Sequence, residues 1–338
     1  MIFIENEGHT NPRLNLALEE YALRNFNSQT DYLLFYINEP SIIIGRSQNT
    51  LEEINHEYVE RNNLHVVRRI SGGGAVYHDF GNLNFSFITN HDTTRLSNFK
   101  KFTEPVISVL SKMGIEAELK GRNDILVNDK KISGTAQFST GKRMVSHGTL
   151  LFDTDLGEVA NALQVKMSKI VSKGHKSVRS RVANISEFLD KQLKIEEFRA
   201  LLLDGLYEEN KKFETYHLTS EEWKAVNLLK EEKYDAWDWN YGRSPKFNIQ
   251  RSKRFAIGEI DLRMFVEKGY LTELKIFGDF FGTAPVEDLE NLLLGVRYDK
   301  GEISKRLQRI EIESYFGNIS KQEFIELLYG KDEEEIIK

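Results

Sequence analysis

The stretch Arg68-Arg69-Ile70-Ser71-Gly72-Gly73-Gly74-Ala75-Val76-Tyr77-His78-Asp79 orders the rest of this sequence around it. Three adjacent glycines lose much backbone entropy on folding, so Gly72, Gly73 and Gly74 need a physical reason. One reason is a tight turn that lines up successive backbone N–H groups as a nest for an anion. Arg68 and Arg69 would then add charge-assisted contacts to phosphate or carboxylate, and Ser71 a hydroxyl donor. The other is a plain glycine-rich hairpin turn with exposed arginines. The string lacks the Gly-Lys-Ser/Thr ending of a P-loop and is not a dinucleotide fingerprint.

Leu64 to Arg68 reads as a strand that runs straight into the glycines. Upstream, Tyr32 to Ile37 and Ser41 to Gly45 are extended runs on either side of the turn signal Asn38-Glu39-Pro40. Downstream, Asn82 to Ile88 alternates: Leu83, Phe85 and Phe87 point one way, Asn82, Asn84 and Ser86 the other. That pattern predicts a sheet with one packed face and one polar face lining a cleft. Further extended stretches lie at Ile125 to Val127 and Val145 to Phe152. Helices are expected over Asn15 to Asn25, and near 98–113, 155–169 and 194–209. Another follows Thr219, which has capping-box spacing to Glu222. Several sheet segments are not separated by helices, which predicts an α+β fold with a mixed sheet and argues against a doubly wound parallel one.

A boundary is expected near Ser244-Pro245, dividing a catalytic domain over 1–247 from a small α/β accessory domain over 248–338. In the latter, Phe255 to Phe277 reads as two strands joined by Glu267-Lys268-Gly269, followed by helices from about 286, 301 and 320. The acidic run Asp332 to Glu335 reads as a solvated end.

Composition removes several classes of function. The formal net charge of -6 gives no general pull toward nucleic acid or an anionic membrane, so neither is expected as a partner. The chain has no cysteine, which excludes disulfides, thiolate metal sites and cysteine nucleophiles. Glu5 and Glu7 stand where a secretory signal would carry basic and apolar residues, and no run approaches 18 apolar residues. A cytoplasmic, monomeric protein is the expectation.

Three other clusters carry chemistry. Asn128-Asp129 is a turn between extended runs, after which Lys131 enters a strand and Gly134 allows a ligand close to the backbone. A lysine there is either a group that holds a carboxylate and a phosphate oxygen together or an ordinary surface lysine of the hairpin, and the second is the reading for Lys130. Asp124 is a candidate magnesium ligand, although one carboxylate is a weak metal signal. His147-Gly148-Thr149 puts a histidine at a strand edge, as a site residue or a structural one. Finally, Lys166 to Arg181 holds Lys166, Lys169, Lys173, Lys176, Arg179 and Arg181 and no acid. Such a run is either a solvated basic loop or a binder of triphosphate or of an acidic protein.

Taken together these strings resemble the lipoate–protein ligase A family. The resemblance rests on Arg69 to Asp79 with Gly81-Asn82-Leu83-Asn84-Phe85-Ser86, on Gly45-Arg46-Ser47-Gln48-Asn49, and on Lys131-Ile132-Ser133-Gly134. His147-Gly148-Thr149-Leu150-Leu151 and Ser177 to Ile185 follow in the expected order. It covers about residues 1–245, and an accessory domain of this length and place is similar to that of bacterial two-domain members. The resemblance implies a biotinyl/lipoyl-transferase catalytic fold. The activity implied is activation of lipoate with Mg-ATP to lipoyl-adenylate and pyrophosphate. The lipoyl group then passes to a lysine of a carrier, either a lipoyl domain of a 2-oxoacid dehydrogenase complex or the glycine-cleavage H protein.

Carried over residue by residue, Arg69, Ser71, Gly72, Gly73, Gly74, Ala75, Val76 and His78 resemble the lipoate and adenylate pocket. Lys131 resembles the family's catalytic lysine, which contacts the acyl carboxylate and the α-phosphate, and Asn82 a residue near the nucleotide. His147 and Glu20 resemble residues lining the acyl pocket. Lys173 to Arg181, with Arg179 and Arg181, resembles the adenylate-binding loop. An octanoyl or lipoyl transferase of the same fold is the nearest alternative. Relatives of that kind with this pattern use an acyl-cysteine, which this chain cannot form. A biotin–protein ligase has a different glycine-rich string. A non-catalytic carrier-binding relative would have no need of Arg69, His78 and Lys131 together.

Overall fold

The computed structural model describes residues 1–91, 98–163, 182–207, 213–242, 249–267 and 269–329. The chain forms two compact units. One comprises Met1–Ile44, Glu52–Ile70 and Ala75–Asn240; the other gathers Gly45–Leu51 and Ser71–Gly74 with Tyr241–Lys338. The expected boundary at 247/248, the Ser244-Pro245 pair and the acidic tail lie outside the described residues.

In the first unit, α1 (Pro12–Asn25) begins at a cap: the Asn11 side chain accepts from the N–H groups of Arg13 and Leu14, and Pro12 fills the first turn. The apolar periodicity placed this start at Asn15; the Asn-Pro cap moves it one turn earlier. An eight-stranded mixed sheet follows, in the order β11-β1-β2-β6-β10-β9-β8-β7. Its strands are β1 (Ile2–Ile4), β2 (Tyr32–Ile37), β6 (Asn82–Asn90), β7 (Glu118–Lys120), β8 (Asp124–Val127), β9 (Lys130–Ser139), β10 (Arg143–Leu151) and β11 (Glu214–Tyr216). β1 runs parallel to β2 and β11, and the remaining neighbours are antiparallel. A second sheet, β4-β3-β5, joins β3 (Ser41–Ile44) parallel to β4 (His65–Arg68) and antiparallel to β5 (Val76–His78).

The alternation read in Asn82 to Ile88 is realised. Leu83, Phe85 and Phe87 pack with Leu33, Phe35, Met144 and Leu150 against α2 (Phe99–Lys112) and α3 (Ile195–Leu206) through Phe102, Val106, Val109, Phe198 and Leu202. Each such side chain contributes on the order of 2 kcal/mol on burial. The two helices approach so closely that a Cβ at Gly205 would lie 2.6 Å from a Val109 methyl. On the other face, Leu34, Tyr36, Ile88 and Val145 pack with Leu14, Leu18 and Ala22 of α1, with Ile43 and Val67 of the small sheet, and with Ile70 just beyond β4. α4 (Ser220–Leu229) starts at the expected Thr219–Glu222 capping box. The expected 155–169 helix covers Leu156–Ala162, and residues 164–181 lie outside the described set.

In the second unit, β12 (Ile249–Phe255), β13 (Gly258–Glu267) and β14 (Tyr270–Gly278) form an antiparallel meander. Two of these strands were expected. β12 was not, because Gln250-Arg251-Ser252-Lys253-Arg254 lacks apolar alternation; it is an edge strand, where charged residues are at home. Helices α5 (Val286–Leu293), α6 (Lys300–Arg306), α7 (Glu313–Phe316) and α8 (Lys321–Tyr329) complete the unit. Leu289, Leu293, Ile303, Phe316 and Phe324 pack on Ile260, Leu262, Met264 and Ile276 to give it a core of its own.

Candidate active site

The glycine loop joins β4 to β5 across the end of the strand between them, and its glycines differ in what they do. Gly73 has φ +92°, a left-handed backbone that side chains rarely adopt. Gly72 has no room for a side chain: a Cβ would lie 2.4 Å from the Phe280 carbonyl oxygen, within the second unit. In the same unit the Gly278 N–H donates to the Ser47 carbonyl at 2.7 Å and the Arg46 N–H to that of Ser71 at 2.9 Å. Gly74 is explained by neither reason. Its φ is not in the left-handed region, and a Cβ there would meet nothing within 4 Å. A missing side chain with open space in front of it is what the close approach of a ligand to backbone requires.

The two arginines ahead of the loop part company. Arg68 is structural: its backbone N–H donates to Asn240 Oδ1 and its Nε to the Trp239 carbonyl, both at 2.8 Å, while Trp239 Nε1 donates back to the Arg68 carbonyl. Arg69 is buried, with Nη1 donating to the Ile43 carbonyl at 3.1 Å; burial brings its pKa down to about 10, against the pull of nearby Tyr36 and Glu19. It stays cationic at neutral pH.

Along the polar face of the large sheet the register brings Tyr36 beside Asn84 and Asn84 beside Thr149. Thr149 Oγ1 accepts from the Gly134 N–H at 3.3 Å, and Gly134 pairs with Asp124. Above this row lies the Lys131 ammonium, 2.8 Å from Asp124 Oδ1 and 2.8 Å from where a Gly134 Cβ would stand. Gly134 is therefore the space in which Lys131 sits. The turn Asn128-Asp129 that delivers Lys131 has positive φ at both residues, as a two-residue hairpin requires. The Ala183 N–H donates to the Lys131 carbonyl at 3.0 Å. One row along, Ser86, His147 and Ala136 stand side by side. His147 Nδ1 is 2.8 Å from Glu19 Oε1, and Ser86 Oγ donates to Glu19 Oε2. At the β5 end, His78 is buried with Nδ1 on Asn38, and burial and then Arg69 bring its pKa down to about 3. Its Nε2 has no hydrogen-bond partner among the described residues, nor has the buried Asn82 Oδ1; Asn82 Nδ2 donates to Asn84 Oδ1.

The unit thus holds a buried cation, a second cation on a glycine floor, and neutral polar groups between them. That arrangement suits two anions that must be brought together. Comparison with known proteins decides which chemistry this is. The Lipoyl protein ligase A/B catalytic domain family matches residues 11–207, and the Bacterial lipoate protein ligase C-terminus family matches residues 244–328. The chain belongs to the lipoate–protein ligase A family. It is 55% identical over 331 residues to lipoate-protein ligase LplJ of Bacillus subtilis, covering 97% of this chain and all of that one.

Among solved structures, Plasmodium falciparum LipL1 in complex with lipoate matches at TM-score 0.75 and 27% identity, over 97% of this chain and 98% of that one. The bipartite lipoate protein ligase of Thermoplasma acidophilum, described with its E2 lipoyl domain, matches at TM-score 0.64 and 33% identity, over 73% and 98%. A lipoate-protein ligase A bound with ATP matches at TM-score 0.60 and 33% identity, over 69% and 94%.

Within this ligase fold the expected site residues fall into three groups. Arg69, Val76, His78, Asn82, Lys131 and His147, with Asp124, belong to the first unit, and Ser71 to Gly74 to the second. Ala75, half-buried, opens the stretch that returns the chain to β5. Arg179, Arg181 and the rest of the basic run lie outside the described residues.

Glu20, expected in the acyl pocket, takes Lys233 Nζ and the Tyr234 hydroxyl, each at 2.7 Å, together with Arg24 Nε at 2.8 Å. Burial opposes its ionisation, but Lys233, Tyr234 and Arg24 hold its pKa below the ordinary value. Glu19, one position earlier and so about 100° around the helix, is the carboxylate that reaches His147. Arg24, four residues after Glu20, is the one partner that its own helix supplies. Asn38 and Tyr36 were also missed, since nothing in a turn tripeptide or an apolar run marks them as polar partners of the site.

Proposed function

We propose that this ligase joins lipoate to carrier proteins in two steps, and that the residues above act in both. In the first, a carboxylate oxygen of lipoate attacks the α-phosphorus of ATP. The bond from that phosphorus to the bridging oxygen breaks, and pyrophosphate leaves. In the second, the ε-amine of a carrier lysine attacks the acyl carbon of lipoyl-AMP, the acyl–oxygen bond breaks, AMP leaves, and the amine gives up a proton as the amide forms. No protein nucleophile is needed, consistent with a chain that has no cysteine.

The observation that carries the assignment is the Lys131 ammonium held over Gly134 by Asp124. A fixed cation there offsets the repulsion between the incoming carboxylate and the phosphate and meets the charge that builds on the phosphate oxygens. Arg69, buried in the same unit, serves the same anions. His147, aligned by Glu19, and the half-buried Val76 belong to the acyl and adenylate pocket, and Asn82 lies near the nucleotide. Arg179 and Arg181 are assigned to the adenylate on sequence alone.

Magnesium fits as a companion of the triphosphate. Asp124 is a lone carboxylate, with no group of three His, Asp or Glu side chains around it among the described residues, and magnesium characteristically takes one or two carboxylates plus phosphate oxygens. Asp124 would hold it, and the ion would supply charge neutralisation at the phosphates.

Lipoyl domains of 2-oxoacid dehydrogenase E2 subunits and the glycine-cleavage H protein are the proposed carriers, with the cytoplasm as the place. No helix among the described residues is long and apolar enough to cross a membrane. The deciding experiment is mass spectrometry of an E2 lipoyl domain incubated with lipoate, Mg-ATP and this protein. A lipoyl mass gain that vanishes without ATP is expected. A gain that persists without ATP, or none at all, overturns the reading.

A further inference from the structure

Behind the site lies a file of buried amides that the reaction itself does not use. Asn6 Nδ2 donates to the His9 carbonyl at 2.9 Å and to Asn15 Oδ1 at 3.2 Å, while Asn6 Oδ1 accepts the Gly8 N–H. Asn15 Nδ2 donates to the His9 carbonyl at 2.9 Å, to the Ile37 carbonyl at 3.4 Å and to Asn38 Oδ1 at 2.9 Å. Asn38 then meets His78 Nδ1 at 3.0 Å through its Nδ2. All four side chains are buried.

The direction of every amide in this file is dictated by backbone. Carbonyl oxygens of His9 and Ile37 only accept, so the nitrogens of Asn6 and Asn15 must face them. With the Asn15 nitrogen fixed as donor, the oxygen of Asn38 must face it. The Asn38 NH₂ is left facing His78, and an NH₂ only donates, so His78 Nδ1 has to be an unprotonated acceptor. A neutral imidazole carries its single proton on the other nitrogen. His78 Nε2 is therefore an N–H donor, and it is the ring atom that no described residue satisfies.

We propose that Asn38, oriented by Asn15 and Asn6, is a positioning residue that locks His78 as the Nε2–H tautomer and makes it a neutral hydrogen-bond donor to the anion in the site. The acceptor is an oxygen of the lipoate carboxylate, the α-phosphate or the mixed anhydride they form. Reading that acceptor rests on the proposed adenylate chemistry; the tautomer does not. The benefit of the arrangement is that the donor's polarity is fixed before substrate arrives, and a site that must receive anions does not present a lone pair to them.

The test begins with the parental full-length chain, labelled with ¹⁵N-histidine, in long-range ¹H–¹⁵N correlation spectra at neutral pH. The His78 ring is assigned by its loss in His78→Gln. A pyridine-like Nδ1 and a pyrrole-like Nε2 are expected; a protonated Nδ1, alone or in an imidazolium, overturns the proposal. Asn38→Asp then reverses the demand on the ring, because both carboxylate oxygens need donors, one from Asn15 and one from His78. Nδ1 is expected to become protonated and Nε2 pyridine-like. Lipoate-dependent ATP–pyrophosphate exchange is expected to lose about tenfold or more in kcat, as loss of a hydrogen bond to a charged group implies. A reversed ring with undiminished exchange removes the positioning role.

Should the aspartate variant not fold, Asn38→Leu leaves the ring unfixed, and a parent-like spectrum there is equally fatal. Failure of the ligase reading shows itself differently, as a parent with the expected tautomer but no exchange activity and no carrier mass gain.

Discussion

Replacing Gly134 with alanine tests whether the glycine exists for Lys131. Its backbone tolerates a side chain, since its φ is not in the left-handed region. The added Cβ would stand 2.8 Å from Lys131 Nζ and 3.1 Å from its Cε, with Asp124 Oδ1 at 3.8 Å. Both close atoms are the far end of a flexible side chain, so the strand need not move. Reaching ordinary contact at 3.4 Å requires the ammonium to retreat by about 0.6 Å, which takes it off the position Asp124 gives it. The fold is expected to keep its stability or gain about 0.4–1 kcal/mol through the unfolded state.

Catalysis should suffer instead. Misplacing a catalytic group by about 1 Å costs on the order of 100-fold, so about tenfold is expected here, or about 1.4 kcal/mol of barrier. Complete removal in Lys131→Ala should cost about 100- to 1,000-fold in adenylate formation. The assay is lipoate-dependent ATP–pyrophosphate exchange, with thermal unfolding as the control. The sharp test is the double variant. If alanine at 134 acts through the ammonium, it should change nothing further once Lys131 is gone. A tenfold loss that persists in the Lys131→Ala background refutes the reasoning, as does an unchanged rate in Gly134→Ala alone.

Other perturbations separate neighbours that the sequence makes look alike. Gly72→Ala should destabilise the protein, because the Phe280 carbonyl is backbone that cannot swing aside, whereas Gly74→Ala should leave the melting curve unchanged and raise the KM for ATP; calorimetry and steady-state kinetics read the two, and equal behaviour would contradict the division of roles. Glu20→Gln should lose about 1–3 kcal/mol of stability by leaving Lys233 without its charged partner, with lipoate KM unchanged, while Glu19→Gln should raise lipoate KM; a reversed pattern in denaturant melts and kinetics would return Glu20 to the acyl pocket.

His78 is neutral when folded because its pKa falls from 6.5 to about 3, so the stability it contributes is present above pH 6.5 and is lost as the pH drops toward 3, at about 1.4 kcal/mol per pH unit. Urea unfolding across that range should show the slope in the parent and lack one proton's share of it in His78→Gln.

How far the sequence could be read follows from what kind of force places each residue. Periodic burial is local, so the alternation in Asn82 to Ile88 predicted both the packed face and the polar face, and the Thr219–Glu222 spacing located a helix start. β12 was invisible because an edge strand is held by backbone pairing to β13 and asks little of its side chains. The place of Lys131, after a hairpin turn and over Gly134, was legible because a turn and a nearby glycine leave local marks. The roles of Arg68 and Glu20 were not, because they are decided by partners far along the chain: Trp239 and Asn240 for one, Lys233 and Tyr234 for the other. A charged side chain beside a glycine cluster reads as a ligand group until its distant partner is known.

The same distinction explains how the site manages its own charge. A pocket that must bring a carboxylate to a phosphate is weakened by any carboxylate of its own that stays uncompensated, yet Glu19 and Asp124 both lie among the residues proposed for it. Each is engaged by a donor: Glu19 by Ser86 and His147 with Arg69 nearby, Asp124 by Lys131. His78 adds polarity without adding charge, since its burial keeps it neutral. In the proposed site the fixed acids thus orient the groups assigned to the substrate's anions and leave the cations and N–H donors to meet them. Electrostatic preorganisation of this kind does not have to be assembled during the reaction, because the folded sheet already holds each acid against its donor.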